Sequence, residues 1–155
     1  MAIKPRVPRV FLCSENSCRT QMAEAFLRDL TGDQFEIVSA GSEAGRLDPE
    51  AVAAMREVGI HIASAQAKSV NPYLGKRFQY VITLCDRQKE RSCPIFPGAF
   101  WRQTWPIENP AVITAAGLDH GLAVRRARDE IRRHVVEFVE KYHHPHSPKG
   151  KSTWN

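Results

Sequence analysis

Residues 9–24 read RVFLCSENSCRTQMAE, and their pattern predicts a strand, a loop and the start of a helix. The stretch opens with the short apolar run 10–12, which is typical of a buried strand. From Met22 onward, apolar residues recur at intervals of three and four, which predicts an amphipathic helix. The intervening CSENSCRT is then a loop between the end of a strand and the start of a helix. Backbone N–H groups converge in such a loop, which favours binding of a tetrahedral oxyanion.

The rest of the chain continues the alternation of strands and helices. Strands are predicted at 35–38 and 80–84, and helices at 49–58 and 121–142. Asp48 and Pro49 have the pattern of an N-cap followed by proline at the first helical position. The order predicts an α/β fold: one domain with a parallel sheet of about four strands and helices on both faces. In such sheets, ligands bind beyond the carboxyl ends of the strands.

Length and composition limit the classes of protein to consider. The 155 residues, 43% of them hydrophobic, suit one domain over residues 1–142, with a polar tail at 143–155 that we expect to be disordered. The net charge of +5 favours anionic partners, but the basic residues are dispersed, so nucleic acid is not expected. Nothing resembles a signal peptide or a membrane span, and we expect a cytoplasmic monomer that does not bind membranes. Its four cysteines would then be thiols.

Two of these cysteines are predicted to lie at one rim of the sheet. Cys13 follows the first strand and Cys85 follows the strand at 80–84, and parallel strands end at the same edge. Arg19, six positions after Cys13, offers a planar fork of donors for two oxygens of one anion. The positive field of the loop and a hydroxyl from Thr20 would favour the thiolate of Cys13. The pattern predicts a nucleophilic cysteine at an oxyanion site.

The stretch CSENSCRTQMAEAF resembles the phosphate-binding loop of the low-molecular-weight protein tyrosine phosphatase fold, and with IVSAG it resembles the arsenate reductase branch. ITLCDRQKERSCPIFPG is similar to the segment that carries two further redox cysteines in thioredoxin-coupled arsenate reductases, here Cys85 and Cys93. The similarity runs from Val10 to about Lys141. It implies catalytic roles for Cys13, Arg19, Cys85 and Cys93. It also implies an oxyanion-binding loop formed by Ser14, Glu15, Asn16, Ser17, Cys18, Arg19 and Thr20.

The resemblance implies a cascade of three thiols. Cys13 would attack arsenate, Cys85 would attack the sulfur of Cys13 and release arsenite, and Cys93 would then move the disulfide to Cys85 and Cys93. Thioredoxin or a glutaredoxin-like dithiol would reduce that disulfide, and phosphate or sulfate would mimic the substrate.

The spacing of Cys85 and Cys93 predicts a conformational change. A helix over residues 85–93 would hold these two cysteines about 12 Å apart, beyond the roughly 7 Å that a disulfide tolerates, so oxidation should move the segment.

Two alternatives remain open. The first is a small tyrosine phosphatase, a phosphomonoester hydrolase in which Cys85 and Cys93 are incidental. One feature speaks against a phosphatase: the fold usually carries an aspartate as general acid at the position of Asn109, and an asparagine cannot donate that proton. Either Glu108 acts as the general acid or the reaction proceeds without one. The second alternative is a non-enzymatic module that senses oxyanions or thiol redox state.

No tightly bound cofactor or metal is expected. Some reductases of this family bind a monovalent cation through residues that match Asn16, Glu24 and Ser39, and here the ammonium of Lys68 would take the place of that cation. His61, His120 and His134 have no partner at a metal-binding spacing, and Trp101 and Trp105 are interpreted as packing within loops.

Overall fold

The computed structural model describes residues 7–14, 17–41, 47–63, 69–85 and 98–142. The elements, in chain order, are β1 (Arg9–Ser14), α1 (Ser17–Thr31), β2 (Glu36–Gly41), α2 (Pro49–Glu57), a 3-10 helix (Asn71–Tyr73), β3 (Phe78–Thr83), β4 (Ala99–Thr104), α3 (Pro110–Ala115) and α4 (His120–Tyr142). All the predicted strands and helices are present within a few residues of their expected bounds. The sequence patterns did not predict β4, α3 or the 3-10 helix.

The four strands form one parallel sheet in the order β2-β1-β3-β4. This arrangement confirms the predicted α/β class and the number of strands. β1 lies inside the sheet, between β2 and β3, and its last residues pair on both sides. Cys13 is opposite Ala40 on β2 and opposite Thr83 on β3. The sequence pattern predicts that Cys13 follows β1, whereas in the structure Cys13 is part of β1 and pairs with both neighbouring strands. Strand pairing therefore fixes the backbone that carries the thiol.

Alternate residues of β1 face two different apolar clusters, as expected for a pleated strand. Val10 and Leu12 belong to the larger cluster, which they share with residues of α1, α2 and α4. Phe11 and Cys13 face the other side of the sheet and pack in a smaller cluster. Tyr73 of the 3-10 helix packs against that smaller cluster. The side chain of Cys13 therefore lies on the face opposite to the three long helices.

The N-cap predicted for α2 is confirmed. Oδ1 of Asp48 accepts a hydrogen bond of 2.9 Å from the backbone N–H of Glu50, and Pro49 is the first residue of the helix. The helix ends at Glu57, and Gly59 then adopts a φ of 83°, in the left-handed region that favours glycine. These boundaries place Asp48 at the N-terminus of α2.

Within the described parts of the chain, no helix has both the length and the apolar content needed to cross a membrane. The predicted tail, residues 143–155, lies outside the described residues.

Candidate active site

The expected oxyanion loop spans the junction of β1 and α1. Cys13 and Ser14 are the last two residues of β1, and both are fully buried. Cys18, Arg19 and Thr20 lie in the first turn of α1 and are buried as well. Ser17 begins that helix, and Glu15 and Asn16 lie outside the described residues. The predicted strand and helix are thus in place, and each extends into the stretch that the sequence pattern assigns to a loop. The individual roles of these residues remain predictions.

Arg19 is the largest side chain in the described core with no exposed surface. Its Nη1 donates a hydrogen bond of 2.9 Å to the backbone carbonyl of Ile107, beyond the end of β4. The guanidinium therefore connects the first turn of α1 to the segment that follows the edge strand. Nothing in the sequence pointed to Ile107, because the contact uses a backbone oxygen that every residue type carries.

The sulfur of Cys13 contacts β3. Its Sγ lies 3.5 Å from Oγ1 of Thr83 and 3.8 Å from the carbonyl oxygen of Ile82. The carbonyl can only accept a hydrogen bond, whereas the hydroxyl can donate or accept one. The nucleophile expected from the sequence thus has an adjustable polar neighbour on the next strand.

Cys85 lies two residues beyond the end of β3. The pairing with β1 continues past β3, because the N–H of Leu84 donates a hydrogen bond of 2.8 Å to the carbonyl of Cys13. Cys13 and Cys85 therefore lie at the same rim of the sheet, as predicted, and both are fully buried. Cys85 is in a disulfide, whereas Cys13 and Cys18 remain thiols. Cys93 and the segment that we expect to move on oxidation, residues 86–93, lie outside the described residues.

Cys18 is poorly suited to thiol exchange. The pKa of its thiol is raised from 9.0 to about 12, mainly by burial and also by the negative charge of Asp48, and the positive charge of Arg19 only partly opposes these two effects. A raised pKa means that the sulfur stays protonated through the neutral range. Because the thiolate is the form that attacks, Cys18 would contribute its backbone to the loop and its sulfur to the core.

Alkylation tests this assignment. At pH 8, Cys18 of the native protein is expected to react with iodoacetamide roughly a thousandfold more slowly than an ordinary thiol, since three pH units separate their titrations. Trypsin releases both loop cysteines in one peptide, residues 10–19, and tandem mass spectrometry distinguishes them. Urea-unfolded protein is the control, in which the two should react alike. Rapid labelling of Cys18 in the folded protein would contradict a buried, protonated thiol.

His120 has a partner that its position in the sequence did not reveal. Its Nε2 lies 2.7 Å from Oδ2 of Asp48, and its Nδ1 lies 2.8 Å from Oγ1 of Thr114. The sequence pattern gives His120 no partner at a metal-binding spacing. In the structure, its side chain contacts a carboxylate and a hydroxyl. The three side chains join the start of α2, the end of α3 and the start of α4. They fix Asp48, the carboxylate whose charge acts on Cys18.

Glu24 on α1 is engaged on both oxygens. Oε1 accepts a hydrogen bond of 2.6 Å from the hydroxyl of Ser39, and Oε2 accepts one of 2.9 Å from Nε of Arg28. Arg28 also donates to the carbonyl of Ile37 on β2, at 2.9 Å. The predicted neighbours Asn16 and Lys68 lie outside the described residues. A cation beside Glu24 would have to share the carboxylate with a guanidinium, and the replacement of such a cation by Lys68 stays a prediction.

Asn109 serves as a helix cap. Its side-chain oxygen accepts a hydrogen bond of 3.0 Å from the N–H of Ala111 and starts α3. Glu108 beside it is half-buried, and its role as a general acid stays a prediction.

Trp105 is buried in the loop after β4, as expected, with the ring of His134 stacked on it at 5.3 Å. Trp101 lies on β4 with 58% of its surface exposed, so its assignment to loop packing is wrong.

Residues 9–143 match the family of low molecular weight phosphotyrosine protein phosphatases. The chain belongs to this family. The match covers the whole described sheet and the helices packed on it. It confirms the resemblance inferred from CSENSCRTQMAEAF.

Within the family, the chain is similar to arsenate reductases. It is 38% identical over 130 residues to an arsenate reductase of Shouchella clausii, covering 84% of this chain and 93% of the relative. Against an arsenate reductase of Bacillus subtilis the identity is 37% with the same coverage. A solved arsenate reductase in the oxidized state superposes with a TM-score of 0.73 at 26% identity, covering 87% of this chain and 98% of that one. A thioredoxin-dependent arsenate reductase of Corynebacterium glutamicum gives a TM-score of 0.66 at 27% identity, covering 90% and 63%.

Proposed function

We propose that this protein is an arsenate reductase that converts arsenate to arsenite through Cys13, Cys85 and Cys93. One observation carries the proposal: β1–β3 pairing brings the buried sulfurs of Cys13 and Cys85 to the same rim of the sheet. A hydrolase needs a single cysteine, because water completes its reaction. A reductase needs a second thiol beside the first, because two electrons must pass to arsenic.

The proposed reaction begins with the thiolate of Cys13 attacking arsenic. A sulfur–arsenic bond forms, and one arsenic–oxygen bond breaks, its oxygen leaving as water once protonated. Arg19 and the backbone N–H groups of the loop would hold the remaining oxygens. The thiolate of Cys85 then attacks the sulfur of Cys13, and the electron pair of the sulfur–arsenic bond stays on arsenic. Arsenite leaves, and the two electrons have come from two sulfurs that are now joined in a disulfide.

In the last step of the cascade, Cys93 attacks the sulfur of Cys85, and Cys13 departs as a thiolate. A protein in which Cys85 is oxidised and Cys13 is a thiol matches the state after this step, and the structure has that pattern. Because Cys85 is fully buried, an incoming dithiol would attack at Cys93. The proposed reductant is thioredoxin or a glutaredoxin-like protein, in a cytoplasmic setting where such dithiols are kept reduced.

Arsenite production with defined thiol donors tests the proposal. Fully reduced protein is expected to produce arsenite continuously from arsenate when thioredoxin, its reductase and NADPH are present, with one NADPH consumed for each arsenite. Phosphate should compete for the same site without consuming NADPH, because phosphorus is not reduced. Hydrolysis of an aryl phosphate without any arsenate-dependent consumption of NADPH would instead support the phosphatase alternative.

We propose further that turnover needs no monovalent cation, because Arg28 already neutralises Glu24. At fixed ionic strength, rates in potassium chloride and in tetramethylammonium chloride are expected to agree within about twofold, since screening is then the same. An Arg28→Met variant removes the guanidinium beside Glu24 and should become sensitive to potassium. Potassium-dependent turnover of the unmodified protein would show that the ion pair does not replace a cation.

A further inference from the structure

We propose that Thr83 is a hydrogen-bond donor, supplied by β3, that stabilises the thiolate of Cys13. The inference rests on the proposed function in one respect, since it assigns this role at the cysteine taken as the nucleophile. It names a residue outside the loop, more than sixty positions away in the sequence.

Strand pairing fixes the two side chains next to each other. Cys13 and Thr83 are register partners on adjacent parallel strands, so their side chains stand side by side on one face of the sheet. The sulfur and the hydroxyl oxygen are 3.5 Å apart, a hydrogen-bonding distance for sulfur. Both residues are buried, which keeps water from replacing the contact.

The apolar side chains around the sulfur of Cys13 make a hydrogen-bond donor important for stabilising its thiolate. The cluster that includes Cys13 also contains Phe11, Val81 and Phe78, and a bare thiolate is poorly stabilised against such side chains. The Ile82 carbonyl, 3.8 Å from the sulfur, can accept from the thiol but cannot stabilise the thiolate. The Thr83 hydroxyl can accept from the thiol or rotate to donate to the thiolate. It keeps its own proton throughout, and the proton lost by Cys13 passes to solvent or to an arsenate oxygen.

The thiolate of Cys13 occurs twice in the proposed cycle. It is the nucleophile that attacks arsenic, and it is the leaving group when Cys93 breaks the disulfide between Cys13 and Cys85. In that second event the electron pair of the sulfur–sulfur bond goes to the Cys13 sulfur, and a donor lowers the cost of holding it there. One hydroxyl would thus assist both the start and the end of the cycle.

The test measures the alkylation of Cys13 against pH in fully reduced protein without arsenate. The label on Cys13 is read by tandem mass spectrometry from the peptide of residues 10–19. In Thr83→Val, the midpoint of the profile is expected to rise by about one pH unit, so that labelling at neutral pH slows about tenfold. Thr83→Ser keeps the hydroxyl and should restore the original profile. Thr104→Val is the matched control, at the register partner of Thr83 on β4.

A Thr83→Val profile that superimposes on that of the unmodified protein would overturn the proposal. If valine disturbs the fold, which far-ultraviolet circular dichroism would reveal, the pair Thr83→Ser and Thr83→Ala repeats the comparison, since these two differ only in the hydroxyl. The two hypotheses fail separately. A shifted profile in a protein that reduces no arsenate would keep Thr83 and reject the reductase, whereas arsenate reduction with an unshifted profile would do the reverse.

Discussion

A Cys93→Ser variant is expected to release a single arsenite per chain and then stop. Cys13 and Cys85 remain, so the chemistry can proceed as far as the disulfide between them. Both cysteines are fully buried, and an external dithiol could not reach either sulfur. Without Cys93 to open that disulfide, further turnover would depend on slow uncatalysed exchange, which takes minutes to hours.

Rapid quenching with acid, followed by arsenite quantification, would show the single turnover. Digestion without reductant should then recover a disulfide between the peptides that contain Cys13 and Cys85. Ser92→Ala, at the neighbouring position, is a matched control that removes one polar atom but no thiol, and it should keep continuous turnover. Sustained thioredoxin-coupled turnover by Cys93→Ser would remove Cys93 from the relay. Wild-type protein that releases no arsenite would reject the relay altogether.

The elements that the sequence predicted share a local signature. β3 is a β-branched apolar run, and α2 has both a capping aspartate and a terminating glycine, so neighbouring residues carry the information. β4 lacks such a signature. It is an edge strand whose Phe100 and Trp101 are 75% and 58% exposed, so neither an apolar run nor a clean alternation marks it. α3 is only six residues long and includes β-branched residues, which hides it from helical periodicity.

In the candidate site, too, local sequence patterns predicted some residues and missed others. Cys13 and Arg19 were predicted because a short spacing at a strand–helix junction has a chemical meaning. The contacts of Thr83 and Ile107 depend on how distant segments pair, which no local pattern encodes. The pairing of Asp48 with His120 spans 72 positions and required the packing of α2 beside α4. Arg28 could have been found, because it follows Glu24 by four positions on a predicted helix and carries the opposite charge.

The second large effect is expected at Arg19. In Arg19→Lys, the rate constant kcat/KM for arsenate should fall about a hundredfold to a thousandfold, the range seen when one donor to a developing oxyanion is removed. Lysine keeps the charge but replaces a planar fork with a single ammonium, so it cannot bind two oxygens of one anion in the same geometry. It also shortens the reach of the side chain towards the carbonyl of Ile107.

Losing the contact between Arg19 and the carbonyl of Ile107 is also expected to reduce stability. Leaving the buried carbonyl of Ile107 without its donor should lower the free energy of unfolding by about 1–3 kcal/mol in urea titrations. Arg126→Lys, an exposed position on α4, is the matched control and should change neither quantity. Phosphate affinity separates the two roles, because phosphate occupies the loop without being reduced. If Arg19→Lys were less stable but bound phosphate as tightly as the unmodified protein, Arg19 would only tie α1 to the segment after β4. If affinity and stability fall together, one buried guanidinium both holds the anion and fixes the loop around it.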